Sequence, residues 1–304
     1  MSSYPLAEIA PRLRRINFPF TRDQTILLFA AFNEIMLGVE TYVAHLTSGT
    51  ILPREWIPII FGPTAGVLLV LIGLLAFRNR STANVLASIV FFASIVVGLL
   101  GAYFHFTRAI LPAAPPGERL SVKLLVWAPP ILGPLTFALV GLLGLSAAWF
   151  EDPPDSGTLK ILGEIRIHLP YSKTEAYFFI VGLAALATVT SSVLDHARTN
   201  FTNPWLWLPT GVGIFATVIA VLMGSYRTIT RTDLIAYITA MLLMVLVGIL
   251  GSILHINQNL TTEDVIVGER FLRGAPVLAP LLFSDIGTIG FLILLGSSVK
   301  GEKY

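Results

Sequence analysis

The segment Val97-Gly98-Leu99-Leu100-Gly101, followed by His105, returns about 150 residues later as Val247-Gly248-Ile249-Leu250-Gly251, followed by His255. Other residues around it recur in the same order. His45, Trp56 and Pro58 match His196, Trp207 and Pro209; Gly117-Glu118-Arg119 matches Gly268-Glu269-Arg270; and Ala128-Pro129, Pro134 and Phe137 match Ala275-Pro276, Pro280 and Phe283. So many matches in one order indicate a duplicated unit.

The composition is that of a membrane protein. Of the 304 residues, 55% are hydrophobic and only 12% are charged, and the mean hydropathy is +0.78. A soluble domain carries roughly a quarter of charged residues. A net charge of +2 gives no indication of a nucleic-acid partner, and the absence of cysteine excludes disulfides, thiolate ligands and cysteine-ligated iron–sulfur clusters.

Eight apolar runs approach the ~20 residues that a helix needs to cross a bilayer. They lie at about Gln24–His45, Ile57–Phe77, Asn84–Phe106, Leu125–Ala147, Thr174–His196, Trp205–Gly224, Leu234–Leu254 and Val277–Leu295. We therefore expect an all-α integral membrane protein whose eight transmembrane helices form two tandem four-helix repeats. Because each repeat has an even number of helices, both enter the membrane in the same sense, which predicts a pseudo-twofold axis along the membrane normal.

The predicted organisation has four parts: an N-terminal arm (1–23), a first repeat (24–149), a surface connector (150–173) and a second repeat (174–304). The side that holds the arm, the connector and both termini carries 13 of the 20 Lys and Arg residues. Basic loops face the cytoplasm. This predicts that both termini, the arm and the connector lie on the cytoplasmic side. The membrane is expected to be a prokaryotic inner (plasma) membrane.

Four histidines obey the repeat and fall on the opposite, periplasmic or extracellular, side. His45 and His196 end the first helix of each unit, and His105 and His255 end the third. A small residue lies four positions before each one, which leaves room for a flat macrocycle. The sequence therefore predicts one bis-histidine b-type haem per repeat, with Arg119 and Arg270 near the propionates.

Two other interpretations of the histidines stay open. Glu118 and Glu269 follow the third-helix histidines, so that two histidines and one carboxylate of each repeat could bind a divalent metal instead. Alternatively, no cofactor is bound, the Gly-x-x-Gly faces serve close helix packing, and the histidines hydrogen-bond to loops.

The carboxylates inside the predicted spans do not obey the repeat. Glu34, Glu40 and Asp285 are matched by Ala185, Ser191 and Leu139. Carboxylates in a membrane are costly and usually face a bundle interior or a wet path. They are candidates for proton uptake, quinone binding or ion coordination. The structural alternative for Glu34 is a protonated carboxyl bonded to a neighbouring helix, with Asn33 as a candidate partner.

The four-plus-four helix plan resembles, in architecture and not in any motif, the NrfD-type quinol-oxidising anchor subunits of respiratory complexes. That resemblance implies a respiratory role. We therefore expect an electron-transfer or quinol-handling subunit of an oxidoreductase complex, bound to other membrane or periplasmic redox subunits. The alternatives are a secondary transporter or channel with a midplane carboxylate, and a cofactor-free anchor or assembly subunit.

Overall fold

The computed structural model describes residues 20–46, 49–161, 165–226, 228–261 and 267–295. Its helices in the first half of the chain are α1 (Arg22–Leu46), α2 (Trp56–Ala76), α3 (Arg80–Arg108), α4 (Val122–Trp127) and α5 (Leu132–Ala148). Those in the second half are α6 (Lys173–Ala197), α7 (Trp207–Ser225), α8 (Arg231–Thr261), α9 (Val267–Arg273) and α10 (Leu281–Ile293). Single 3₁₀ turns, Pro53–Glu55 and Pro204–Leu206, precede α2 and α7.

Six helices among the described residues are long and apolar enough to cross a membrane: α1, α2 with its preceding turn, α3, α6, α7 with its preceding turn, and α8. Apolar side chains such as Ile60, Leu74 and Ile89 are each 60% exposed on their outer faces. Because exposed apolar surface of this extent suits a hydrocarbon environment, the helices indicate an integral membrane protein in contact with lipid.

The fourth predicted span of each half is a shorter helix than the sequence suggested. The run Leu125–Ala147 is broken into α4 and α5, and α10 has only 13 residues. Pro129 and Pro130 cause the first break, because proline lacks the amide hydrogen and forces the residue before it out of the helical region. Accordingly, Ala128 is extended, with ψ at 165°. Pro276 and Pro280 similarly delay the start of α10.

The same pairs of helices pack in each half. In the first half α1 packs against α2, α2 against α3 and α3 against α5; in the second, α6 packs against α7, α7 against α8 and α8 against α10. The halves meet where α5 packs against α6 and α10 against α1. A buried apolar cluster extends across this boundary, joining Ile26 and Leu143 to Tyr177 and Tyr237.

The connector contains a small antiparallel sheet. Its strands are β1 (Phe150–Glu151), β2 (Thr158–Lys160) and β3 (Arg166–His168), paired in the order β1-β2-β3. Leu159 is the buried centre of β2, and β3 is exposed along its whole length. The sheet leads the chain directly into α6.

Candidate functional site

The most deeply buried carboxyl in the described part of the chain is that of Glu34, in the middle of α1. Both Glu34 and Ser94 on α3 are 0% exposed. The Ser94 hydroxyl oxygen lies 2.5 Å from Oε1 of Glu34 and 2.8 Å from the carbonyl oxygen of Phe137 on α5. Three helices of the first half therefore meet at one serine hydroxyl.

This arrangement fits a protonated Glu34. The Ser94 hydroxyl has one proton but two oxygen neighbours, so it can donate to only one of them. If Glu34 is a neutral acid, it donates to Ser94, and Ser94 donates to the carbonyl of Phe137. An ionised Glu34 would compete with that carbonyl for one proton, and its Oε2 has no hydrogen-bond partner among the described residues. Burying such a charge costs several kcal/mol.

Glycines on α2 allow this helix to approach the backbone of α1 closely around Glu34. A Cβ on Gly62 would lie 2.5 Å from the carbonyl oxygen of Glu34 and 2.8 Å from Cα of Gly38. A Cβ on Gly66 would lie 2.5 Å from the carbonyl oxygen of Ala31. Because these positions carry no side chain, the backbones of α1 and α2 come into direct contact at the level of Glu34.

A groove of about 650 Å³ runs between α2 and α3 on the outer face of the first half. It is almost entirely apolar, and Thr64 contributes its one aliphatic hydroxyl. The lining residues are Pro53, Trp56, Ile57, Ile60, Phe61, Thr64, Ala65, Leu68, Ile89, Val90 and Ala93. The groove is open to the surroundings, because Ile57, Ile60 and Ile89 in its lining are 48%, 60% and 60% exposed.

The lining of this groove is connected to the Glu34–Ser94 pair through α3 and Phe137. Ala93 in the lining directly precedes Ser94 in α3. The ring of Phe61, also in the lining, contacts the ring of Phe137 at a centroid distance of 6.1 Å. The groove therefore shares α3 with the buried pair and contacts the residue whose carbonyl oxygen accepts a hydrogen bond from Ser94.

The other two candidate carboxylates lie at the boundary between the halves. Asn33 donates a hydrogen bond of 3.3 Å from its side-chain nitrogen to Oδ2 of Asp285 on α10. The sequence suggested Asn33 as the partner of Glu34, but in the structure the Glu34 carboxyl is hydrogen-bonded to Ser94. Glu40 is half-buried on α1. Asn33 and Glu34 are adjacent and therefore point to different faces of the helix.

The structure brings the predicted histidine pairs together, and all four rings are half-buried. The rings of His45 and His105 have centroids 6.1 Å apart and are inclined by 53°. His196 and His255 lie close enough to interact electrostatically. Each pair joins the first and third helices of its half.

The third-helix histidines make the same contact in each half. Nδ1 of His105 lies 2.8 Å from the carbonyl oxygen of Pro130, and Nδ1 of His255 lies 2.8 Å from that of Pro276. Since each carbonyl precedes the fourth helix, these hydrogen bonds tie the third helix to the approach of the fourth. The first-helix histidines bond within their own helix, His45 to the carbonyl of Thr41 and His196 to the hydroxyl of Ser192.

The glycine faces below the third-helix histidines are filled by protein. A Cβ on Gly101 would lie 2.6 Å from Cβ of Pro134, and a Cβ on Gly251 would lie 2.8 Å from Cβ of Pro280. One turn further, a Cβ on Gly98 would lie 2.6 Å from the amide nitrogen of Ala138. The clearing on which the haem prediction relied is thus occupied by the fourth helix, and the residues here fit close helix packing better than a macrocycle.

The charged residues predicted to accompany the histidines have other partners or lie on the surface. Nε of Arg119 donates to the carbonyl of Ala114 at 3.0 Å, and Nη1 of Arg270 donates to that of Leu260 at 3.3 Å. Glu269 forms an ion pair with Arg273, and Glu118 is exposed. Among the described residues, no three His, Asp or Glu side chains form a group that could hold a metal ion. The predicted sets of two histidines and one carboxylate are not assembled.

Sequence reasoning missed two features of this architecture. Ser94 was not singled out, although a serine inside an apolar span, matched by Met244 in the other half, was a detectable signal. The ion pair of Asp23 with Lys173 was missed because the predicted boundaries left both residues outside the helices, whereas α1 and α6 begin at Arg22 and Lys173. Comparison with known protein families, characterised proteins and solved structures finds no match to this chain.

Proposed function

We propose that this chain is a quinol-handling subunit of a membrane oxidoreductase complex. In this proposal the α2–α3 groove holds the ring of a lipid-soluble quinone, and Glu34 exchanges a proton with it. The observation that carries the proposal is the fully buried Glu34–Ser94 pair between α1 and α3, and the apolar groove between α2 and α3 supports it. Burying an ionisable carboxyl group inside a membrane protein costs free energy, so such a group is by default a candidate functional site.

The chemistry balances when a partner protein exchanges the electrons. Reduction of a quinone to a quinol takes up two electrons and two protons. The electrons come from a redox subunit bound to this chain, and neutral Glu34 donates one proton and is later reprotonated from solvent. In the reverse direction, ionised Glu34 accepts a proton from the quinol. The second proton comes from, or passes to, solvent.

No step of this proposal passes through a haem. The glycine faces beside His105 and His255 are filled by the fourth helices, and both histidines bond to backbone carbonyls. These contacts support a structural role in which the histidines fasten the third helix to the fourth. One b-type haem per repeat remains a prediction that the visible spectrum of the reduced protein tests.

The proposal includes the topology expected from the sequence. We infer eight spans in two tandem repeats, with α4 and α5 in the fourth span of the first half and α10 in the fourth span of the second. The equal contacts of His105 with Pro130 and of His255 with Pro276 support the repeat. The distribution of Lys and Arg supports cytoplasmic termini and places the histidines on the opposite side.

Quinone binding is tested by fluorescence, because Trp56 lines the groove. A short-chain ubiquinone and a short-chain menaquinone are titrated into the purified protein, and we expect saturable quenching that is reduced in Trp56→Phe. Ala93→Phe fills the groove and should weaken binding at least tenfold. The matched control is Leu71→Phe on α2, since Leu71 is exposed and does not line the groove. Equal binding by both variants would contradict the groove as the site.

The proton step is tested by oxidising a short-chain quinol with a soluble one-electron acceptor in the presence of the protein. We expect Glu34→Gln to slow the protein-catalysed reaction by about 10²-fold or more, the usual contribution of a positioned acid or base. Quinone binding should stay within about twofold, and the exposed control Glu118→Gln should be unaffected. A Glu34→Gln variant as fast as wild type would refute the role. Ion flux in proteoliposomes that requires Glu34, without quinone binding, would instead support the transporter.

A further inference from the structure

The starts of α1 and α6 meet in a buried ionic contact. Nζ of Lys173 lies 2.5 Å from Oδ2 of Asp23, and Nη1 of Arg22 donates to the hydroxyl of Thr174 at 2.8 Å. Lys173 is 2% exposed and Arg22 is 5% exposed. Two basic side chains are therefore almost completely removed from solvent at the point where the first helices of the two halves begin.

The two contacts are reciprocal under the repeat. The matching that pairs His45 with His196 also pairs Arg22 with Lys173 and Asp23 with Thr174. Lys173 thus bonds to Asp23, the residue after its counterpart Arg22. In the same way, Arg22 bonds to Thr174, the residue after its counterpart Lys173. Reciprocal contacts of this kind, in which i touches j and j touches i, are the signature of a twofold interface between like units.

Further bonds converge on the same contact. Nζ of Lys173 also donates to the carbonyl of Trp149 at 2.7 Å, and the hydroxyl of Tyr177 donates to Oδ1 of Asp23 at 3.1 Å. The guanidinium of Arg22 lies over the ring of Tyr177, 4.9 Å from its centroid. Arg22, Asp23 and Lys173 each have hydrogen-bond partners, which is the condition under which buried charges are tolerated.

We propose that the two halves of the chain are self-complementary units, and that this reciprocal contact, defined by Arg22, Asp23, Lys173 and Thr174, fixes their twofold arrangement together with the apolar cluster that crosses the boundary, even when the connector is cut. The partner that the surface of each half fits is thus the other half. The inference rests on the tandem repeat proposed above and not on quinol chemistry.

The test cuts the folded protein. Residues 162–164 of the connector are replaced by a site-specific protease sequence, and the purified full-length chain is cleaved in mild detergent. We expect the two fragments to elute together in size-exclusion chromatography and the cut protein to unfold at nearly the temperature of the uncut one. The control is Arg166→Ala, which removes an exposed ion pair with Asp152 inside the connector and should change nothing.

The reciprocity of the contact is tested by exchanging the residue pair at positions 22 and 23 with the pair at positions 173 and 174. The one-sided variant Arg22→Lys/Asp23→Thr gives both halves the same residue pair and removes the carboxylate, so after cleavage it should unfold at a lower temperature than the cut wild type. The full exchange adds Lys173→Arg/Thr174→Asp, which restores both contacts with the halves interchanged, and its cut form should unfold at nearly the temperature of the cut wild type. Separation of the wild-type fragments, or a full exchange that does not recover the unfolding temperature, would overturn the proposal. Quinone titration of the same cut wild-type protein reports separately on the function.

Discussion

The two halves of this molecule share their packing contacts but differ in their buried polar groups. His105 and His255 bond to matching carbonyls, and the third helix of each half presents glycine to the fourth. At the level of Glu34 and Ser94, however, the second half carries Ala185 and Met244, both 0% exposed. The second half therefore builds the same helix packing with apolar residues, which indicates that the polar pair of the first half is not required for folding.

The boundary between the halves repeats this contrast. Asn33 and Asp285 are hydrogen-bonded across it, whereas their counterparts Ala184 and Leu139 belong to the shared apolar cluster. Buried polar groups cost free energy that apolar residues of similar volume avoid. This polar pair, with one member from each half and no polar counterpart under the repeat, therefore makes the two sides of the boundary unequal.

The largest expected effect comes from moving the carboxyl into the wrong half. Ala185→Glu places an acid among apolar neighbours where Met244 replaces the serine, and the larger side chain also overpacks a site that has no space. We expect a loss of about 3–5 kcal/mol of stability. Thermal unfolding in detergent, followed by fluorescence-detected size exclusion, measures it. A variant that folds as stably as wild type would mean that the second half tolerates the charge and that the contrast has no energetic basis.

Glycine substitutions should instead affect the two halves alike. Gly98→Ala and Gly248→Ala would each bring a Cβ to 2.6 Å from a backbone nitrogen of the fourth helix, that of Ala138 or Ser284. Separating the helices costs about 1–3 kcal/mol, and we expect similar falls in melting temperature. The control is Gly211→Ala, whose Cβ would have no atom within 4 Å. A large difference between the two substitutions would argue against equivalent packing.

The smallest effect is predicted for the third-helix histidines. His105→Ala and His255→Ala each remove one hydrogen bond to a backbone carbonyl, so each should cost about 1 kcal/mol, measured by thermal unfolding. If the role is structural, the visible spectrum of the dithionite-reduced wild type and of both variants should be the same. A haem α-band that is lost in either variant would restore the cofactor interpretation.

The sequence predicted the apolar helices well because long hydrophobic runs and their basic flanks are local signals. The pairing of His45 with His105 and of His196 with His255 was inferred from the recurring sequence segments, and in the structure the rings of His45 and His105 lie 6.1 Å apart. The sequence overestimated the fourth spans, since hydropathy averages over Pro129 and Pro130 and does not register the break in the helix. It also took small residues below the histidines as open space, whereas whether a glycine face is empty or filled depends on helix packing that no local pattern reveals.

The partner of Glu34 was unpredictable for a related reason. Ser94 lies 60 positions along the chain, and only the packing of α1 against α3 brings the two side chains together. Sequence reasoning placed Asn33 there because it is a neighbour in the chain. Adjacent helical positions, however, point to different faces.

The central claim is that Glu34 is a neutral carboxylic acid that exchanges its proton with a ligand in the groove. Infrared difference spectroscopy of the protein with and without bound quinone tests it most directly. We predict a carbonyl band of a protonated carboxyl that shifts when quinone binds, persists in Glu40→Gln and disappears in Glu34→Gln. Spectra that are identical in the wild type and Glu34→Gln, with no such band assigned to this residue, would contradict the account.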